Sequence, residues 1–136
     1  CLLSQVAFAA PPTKVGVTYT KAGGATTVNS VYTPIVELSL PAGKYLVTGR
    51  GTVQNQQATT HTVSCNVYAG TTAQAVDANT TTVPSGEYGA LAFTGVAILP
   101  TAGTLWVECI AIVQVTGPFT SARLTVTTAA DVISLP

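Results

Sequence analysis

The chain is 136 residues long, with five Lys or Arg, five Asp or Glu and a net charge of zero. Only 7% of it is charged and 47% is apolar, whereas an ordinary soluble domain carries about 25% charged residues and a disordered one far less apolar content. This balance argues against disorder. It also argues against a nucleic-acid partner, because Lys14, Lys21, Lys44, Arg50 and Arg123 are too scattered to form a dense basic surface.

Thr accounts for 24 residues, so the polarity missing from charge returns as neutral hydroxyl. A monomer with so little charge is prone to associate. The length suits one domain. No segment reaches the roughly 18 consecutive apolar residues of a spanning helix, so no membrane span is expected.

In chain order, Cys1–Ala10 followed by Pro11-Pro12 has the small-residue ending of a secretory leader, and a mature Cys1 would also suit a lipid anchor. The reading carried forward is an extended arm over residues 1–13, with Leu2, Leu3, Val6 and Phe8 as its docking side chains, ahead of a single domain over 14–136. No window shows apolar spacing near the helical period. Strand signals instead recur at Lys14–Thr20, Val31–Leu40, Lys44–Val53, Thr62–Ala69, Tyr88–Leu99, Thr104–Val115 and Ala122–Ile133, each rich in Val, Ile, Thr and aromatics.

Lys21–Ser30, Gln54–Thr60 and Gly70–Gly86 read as longer polar connections. The last is expected to be an exposed loop presenting Asp77, Asn79, Thr80 and Thr81, and Asn79-Thr80-Thr81 also fits a glycosylation sequon. Two Pro-to-Gly segments, Leu40–Lys44 and Leu99–Thr104, read as tight strand connections. A sandwich or barrel follows from strands so punctuated.

Alternation assigns faces. Tyr45, Val47 and Val53 share one side of their strand, with Lys44, Thr48, Arg50 and Thr52 on the other together with Leu46. Leu91 and Phe93 fall out of phase with Val96 and Ile98, which predicts a bulge at Gly95. Thr104–Val115 is apolar on both faces: Leu105, Val107, Cys109, Ala111 and Val113 on one, Trp106, Ile110 and Ile112 on the other, with Glu108 alone among them. Such a strand is covered on both sides, and the Trp106, Ile110 and Ile112 face is read as a subunit contact.

Cys65 and Cys109 stand in phase with the valines of their strands, placing both thiols toward the core, where they either bridge neighbouring strands or pack as small apolar groups. Catalytic constellations are missing. His61, the one histidine, has no fixed partner in sequence and reads as an exposed polar residue, while Glu37, Asp77, Glu87, Glu108 and Asp131 are widely spread. No phosphate loop, metal spacing or nucleophile elbow occurs, so neither an enzyme nor a cofactor is expected.

The order Leu38-Ser39-Leu40-Pro41-Ala42-Gly43-Lys44-Tyr45-Leu46-Val47, then Val63–Gly70, Leu105–Cys109 and Ala122–Val126 resembles the C1q/TNF-like jelly-roll domain over about Val31 to Val132. The resemblance implies an all-β, antiparallel two-sheet jelly-roll sandwich of about 8–10 strands that forms a homotrimer. Similar domains occur in bacterial collagen-like fibres and in phage fibre and decoration proteins. The chain lacks the aromatic-rich closing strand and the calcium-binding acidic cluster of animal members, which points away from receptor signalling.

The expected function is that of a non-enzymatic virion structural protein, a capsid-decoration, head-fibre or tail-associated subunit on the virion exterior. It would assemble with itself and with neighbouring virion proteins, with a host-surface glycan as a further candidate partner. Tyr32, Tyr68 and Tyr88 are the aromatic candidates for a sugar groove. The alternative is a secreted bacterial adhesin or filament subunit at the cell surface, with Leu2–Phe8 as a donor strand completing the next copy.

Overall fold

A computed structural model describes residues 17–23, 26–28, 30–111 and 117–129. The 1–13 arm with Leu2, Leu3, Val6 and Phe8, and also Ile112, lie outside the described residues. Nine strands are described: β1 (Thr18–Gly23), β2 (Thr26–Val28), β3 (Thr33–Leu40), β4 (Gly43–Gln54), β5 (His61–Ala69), β6 (Gln74–Val83), β7 (Tyr88–Leu99), β8 (Gly103–Ala111) and β9 (Gly117–Ala129).

They form two antiparallel layers. One runs β1-β9-β4-β7, with β2 continuing along β9 beyond β1; the other runs β3-β8-β5-β6. From β3 onward the chain passes from layer to layer, except at the β5–β6 hairpin, and this gives the jelly-roll order. The two Pro-to-Gly connections are tight as expected, but each is a corner between layers, since β3 pairs with β8 and β4 with β7. At the first corner the Tyr45 hydroxyl donates to the Pro41 carbonyl at 2.6 Å. Burial, and then the neighbouring Tyr19, push the Tyr45 phenol above its usual 10.0, so it remains a donor over a wider pH range.

Period-two alternation builds the core. Tyr45, Val47 and Val53 of β4 meet Leu91, Phe93, Ala97 and Leu99 of β7 and the inward sets Val63, Cys65, Val67 and Leu105, Val107, Cys109 of β5 and β8. Most of these side chains are β-branched or aromatic, which suits a pleated half-buried surface.

The bulge expected at Gly95 is absent. β4 and β7 pair without a shift from Gly43↔Leu99 to Gln54↔Tyr88, and the odd residues of β7 stay inward throughout. Val96 and Ile98 are apolar residues on the outer face, which is why they looked out of phase. Gly95 has another reason to be glycine: a Cβ there would lie 2.7 Å from the Val76 carbonyl oxygen and 2.8 Å from its Cγ1. Irregularities occur instead at Pro34/Val36, Thr52/Val53 and Val67/Tyr68.

Because that contact is with backbone, Gly95→Ala is expected to cost about 1–3 kcal/mol as overpacking. Gly103→Ala, whose Cβ meets its nearest atom at an ordinary 3.5 Å, should cost less. Urea unfolding of the two variants checks the difference.

Candidate functional site

Cys65 and Cys109 are ladder partners on β5 and β8, with Cα atoms 4.1 Å apart and sulfurs 2.00 Å apart in a disulfide. Both are fully buried between the layers. The bond ties the two central strands of one layer at mid-length, so the outer face that those strands carry is held rigid.

That outer face presents Trp106. Its rung reads Glu37, Trp106, Tyr68, Ala75 across the layer, and the next reads Pro34, Glu108, Asn66, Ala78. Trp106 and Tyr68 pack with ring centroids 5.6 Å apart at a tilt of 38°. The indole Nε1–H points at Glu108 Oε2 at 3.4 Å, a long contact. Trp106, Glu108 and Ile110 are half-buried and Glu37 is exposed. Two carboxylates therefore flank one aromatic pair, and no Lys or Arg lies on β3, β8, β5 or β6.

The opposite layer differs in chemistry. On its outer face Leu46 pairs with Val96 and Lys44 with Ile98, and Leu46 and Ile98 are 52% and 45% exposed. Further along, Arg50 is exposed, with Ala92 beside it in one neighbouring strand and Arg123 in the other. The sequence places Leu46 on this outer face but not Val96 and Ile98, whose phase reads as a bulge; the phase of Ile98 against Leu99 was the available signal.

Asp77, Asn79, Thr80 and Thr81 are not on a loop. They lie in β6, an edge strand paired to β5 from His61↔Val83 to Ala69↔Gln74. The segment reads as a loop because it lacks large apolar residues, and it lacks them because its inner face meets the edge of β7. Thr94 N–H donates to Asp77 Oδ2 at 2.8 Å, Asn79 Nδ2–H donates to the Ala92 carbonyl at 2.7 Å, and Ile98 N–H approaches Gln74 Oε1 at 3.4 Å. Asp77 Oδ1 and Asn79 Oδ1 also accept from Ala78 N–H and Thr80 N–H. The Asn79 amide of the sequon is thus engaged in a seam between layers.

His61 is also displaced from its expected setting: it is 4% exposed, being in phase with Val63 and Cys65. Its Nε2 lies 3.1 Å from Thr59 Oγ1, and Nδ1 has no hydrogen-bond partner. Beside it the buried Asn55 side chain donates to the Thr59 and Val83 carbonyls and accepts from Gln57 N–H, closing this end.

Two shallow grooves are lined by described residues. One of about 370 Å³ lies between the β5–β6 turn and the β7–β8 corner, and one of about 410 Å³ is lined by Lys21, Ala22, Gly23 and residues 34–37. Neither gathers groups with complementary catalytic roles. Among the described residues no cluster of three His, Cys, Asp or Glu is placed to hold a metal, and no helix is long and apolar enough to cross a membrane.

The sequence matches no protein-family model and no curated protein. The fold does have solved counterparts. A chain of infectious bursal disease virus, Gx strain, aligns with TM-score 0.61 at 14% identity over 85% of this chain and 33% of that one. VP2 in the subviral particle of infectious bursal disease virus aligns with TM-score 0.59 at 12% identity over 84% and 33%. Eiger TNF from S. frugiperda aligns with TM-score 0.63 at 11% identity over 90% and 98%. The chain spans about a third of the length of the viral chains it matches. At these identities the likeness establishes the jelly-roll fold.

Two outcomes test the geometry above. Asp77→Ala removes the acceptor of the exposed Thr94 N–H, which water then reaches, and should cost about 0.5–1.5 kcal/mol in chemical denaturation. Reducing Cys65–Cys109, which closes a separation of 44 residues, should cost about 2–4 kcal/mol. A reduced protein with an unchanged urea midpoint would contradict the second.

Proposed function

We propose that this chain is a structural subunit of a virion, acting by assembly with further copies of itself and with neighbouring virion proteins on the particle exterior, and catalysing no reaction. The observation that carries the reading is the exposure of Leu46 and Ile98, at 52% and 45%, close together on one layer of a chain with only 7% charge. Large apolar side chains grouped on a face mark an interaction surface. Among proteins of similar fold is VP2 of infectious bursal disease virus in a subviral particle, which supports the virion setting.

Two orders of assembly suit such a surface. The homotrimer is the closed state that the C1q/TNF-like resemblance implies, with Trp106, Ile110 and Ile112 as the expected contact. An open row, as in a surface filament, is favoured by the carboxylates on one outer face and Arg50 on the other. The disulfide suits an oxidising location outside the cytosol in either case.

Light scattering at micromolar concentration should give a mass above that of the 13.8 kDa monomer; a monomer at every concentration would sink the assembly reading. Deleting residues 1–12 should leave self-association intact and abolish only attachment to other proteins. Collapse to unstable monomers would instead identify the arm as a donor strand.

A further inference from the structure

The two outer faces of the sandwich are chemically unlike, and each holds what the other lacks. On the β3-β8-β5-β6 layer, Glu37 and Glu108 flank Trp106, which packs on Tyr68. On the β1-β9-β4-β7 layer, the exposed Arg50 has Ala92 and Arg123 as its ladder neighbours, so no carboxylate lies beside it on its rung. An exposed arginine with no carboxylate on its own rung is open to an acidic partner arriving from outside.

Building on the assembly reading, we propose that copies of this chain associate head to tail, the Arg50 face of one copy seating on the Glu37–Trp106–Glu108 cluster of the next. The chemistry fits at each point. A guanidinium lies flat on an indole face in a cation–π contact, and its remaining N–H groups reach carboxylates on either side. Glu108 is already turned toward the Trp106 indole, and Glu37 is exposed on the neighbouring strand.

The apolar groups have matching positions. Four residues separate Arg50 from the exposed Leu46, and four separate Trp106 from the half-buried Ile110, a distance of about 13 Å in each case at the rise of a strand. When the arginine meets the tryptophan, Leu46 and its rung partner Val96 can therefore reach the Ile110 rung. Since the contacting faces lie on opposite sides of one sandwich, repetition adds copies in an open row.

The test uses the full chain in sedimentation velocity over a range of concentration and salt. Arg50→Glu and Glu37→Arg should each weaken association at least about tenfold, because each sets like charges together, and association of the unaltered chain should weaken as salt rises. The combined variant, Arg50→Glu with Glu37→Arg in the same chain, restores an unlike pair between positions 50 and 37 while Glu108 still faces position 50, and should associate at least a few fold more tightly than either single variant. Arg50→Gln, with circular dichroism, separates loss of contact from loss of fold.

Unchanged association of Arg50→Glu, or a combined variant no better than either single one, would overturn the head-to-tail contact. So would a discrete trimer that does not grow with concentration, which leaves the assembly reading standing. A chain that is monomeric throughout removes both.

Discussion

The outermost strands of a sandwich carry rows of backbone groups that no further strand pairs, and the satisfaction of those groups organises this fold. β6 and β7 face each other as edges of different layers. Asp77 and Asn79 reach across to the Thr94 N–H and the Ala92 carbonyl, and Gln74 approaches the Ile98 N–H. The strands come this close because Gly95 presents no Cβ to Val76. The seam thereby fixes one layer against the other, and at its end the buried Asn55 ties the 55–59 segment to the Val83 carbonyl. At the other side, between β1 and β3, the layers leave a groove of about 410 Å³.

The same constraint explains which parts of the fold were legible in sequence. Strands with one face in the core announce themselves by alternation, as in Tyr45-Val47-Val53 or Val63-Cys65-Val67, and these were read with correct faces. β6 was not, because its inward residues Asp77, Asn79 and Thr81 serve an edge rather than the core, and a polar inward face has the composition of a loop. Its β-prone Thr80-Thr81-Thr82 run was the signal available. The false bulge arose from the converse case: Val96 and Ile98 are apolar on an outer face, where alternation alone expects polarity.

The faces proposed for contact were legible in part for a related reason. Trp106 stood out as an apolar residue opposite an apolar face, whereas its neighbours Glu37 and Tyr68 lie far away in sequence and meet it only through ladder register. Arg50 and Arg123 are likewise 73 positions apart and become rung partners only once β4 and β9 pair. Register, set by the hydrophobic pattern and the corners, turns scattered charges into a patch.

Zero net charge consequently conceals a division of sign between layers. Glu37 and Glu108 belong to one layer, and Lys21, Lys44, Arg50 and Arg123 to the other. A twofold contact through either face sets like against like, arginine to arginine or carboxylate to carboxylate, and is disfavoured. A contact between unlike faces removes that penalty. Closing it into a ring of three requires contact surfaces steeply inclined to one another, whereas the outer faces of a sandwich are turned away from each other. Successive copies joined in the proposed way would extend as a row, and the sparse charge of the chain would set the direction in which that row is built.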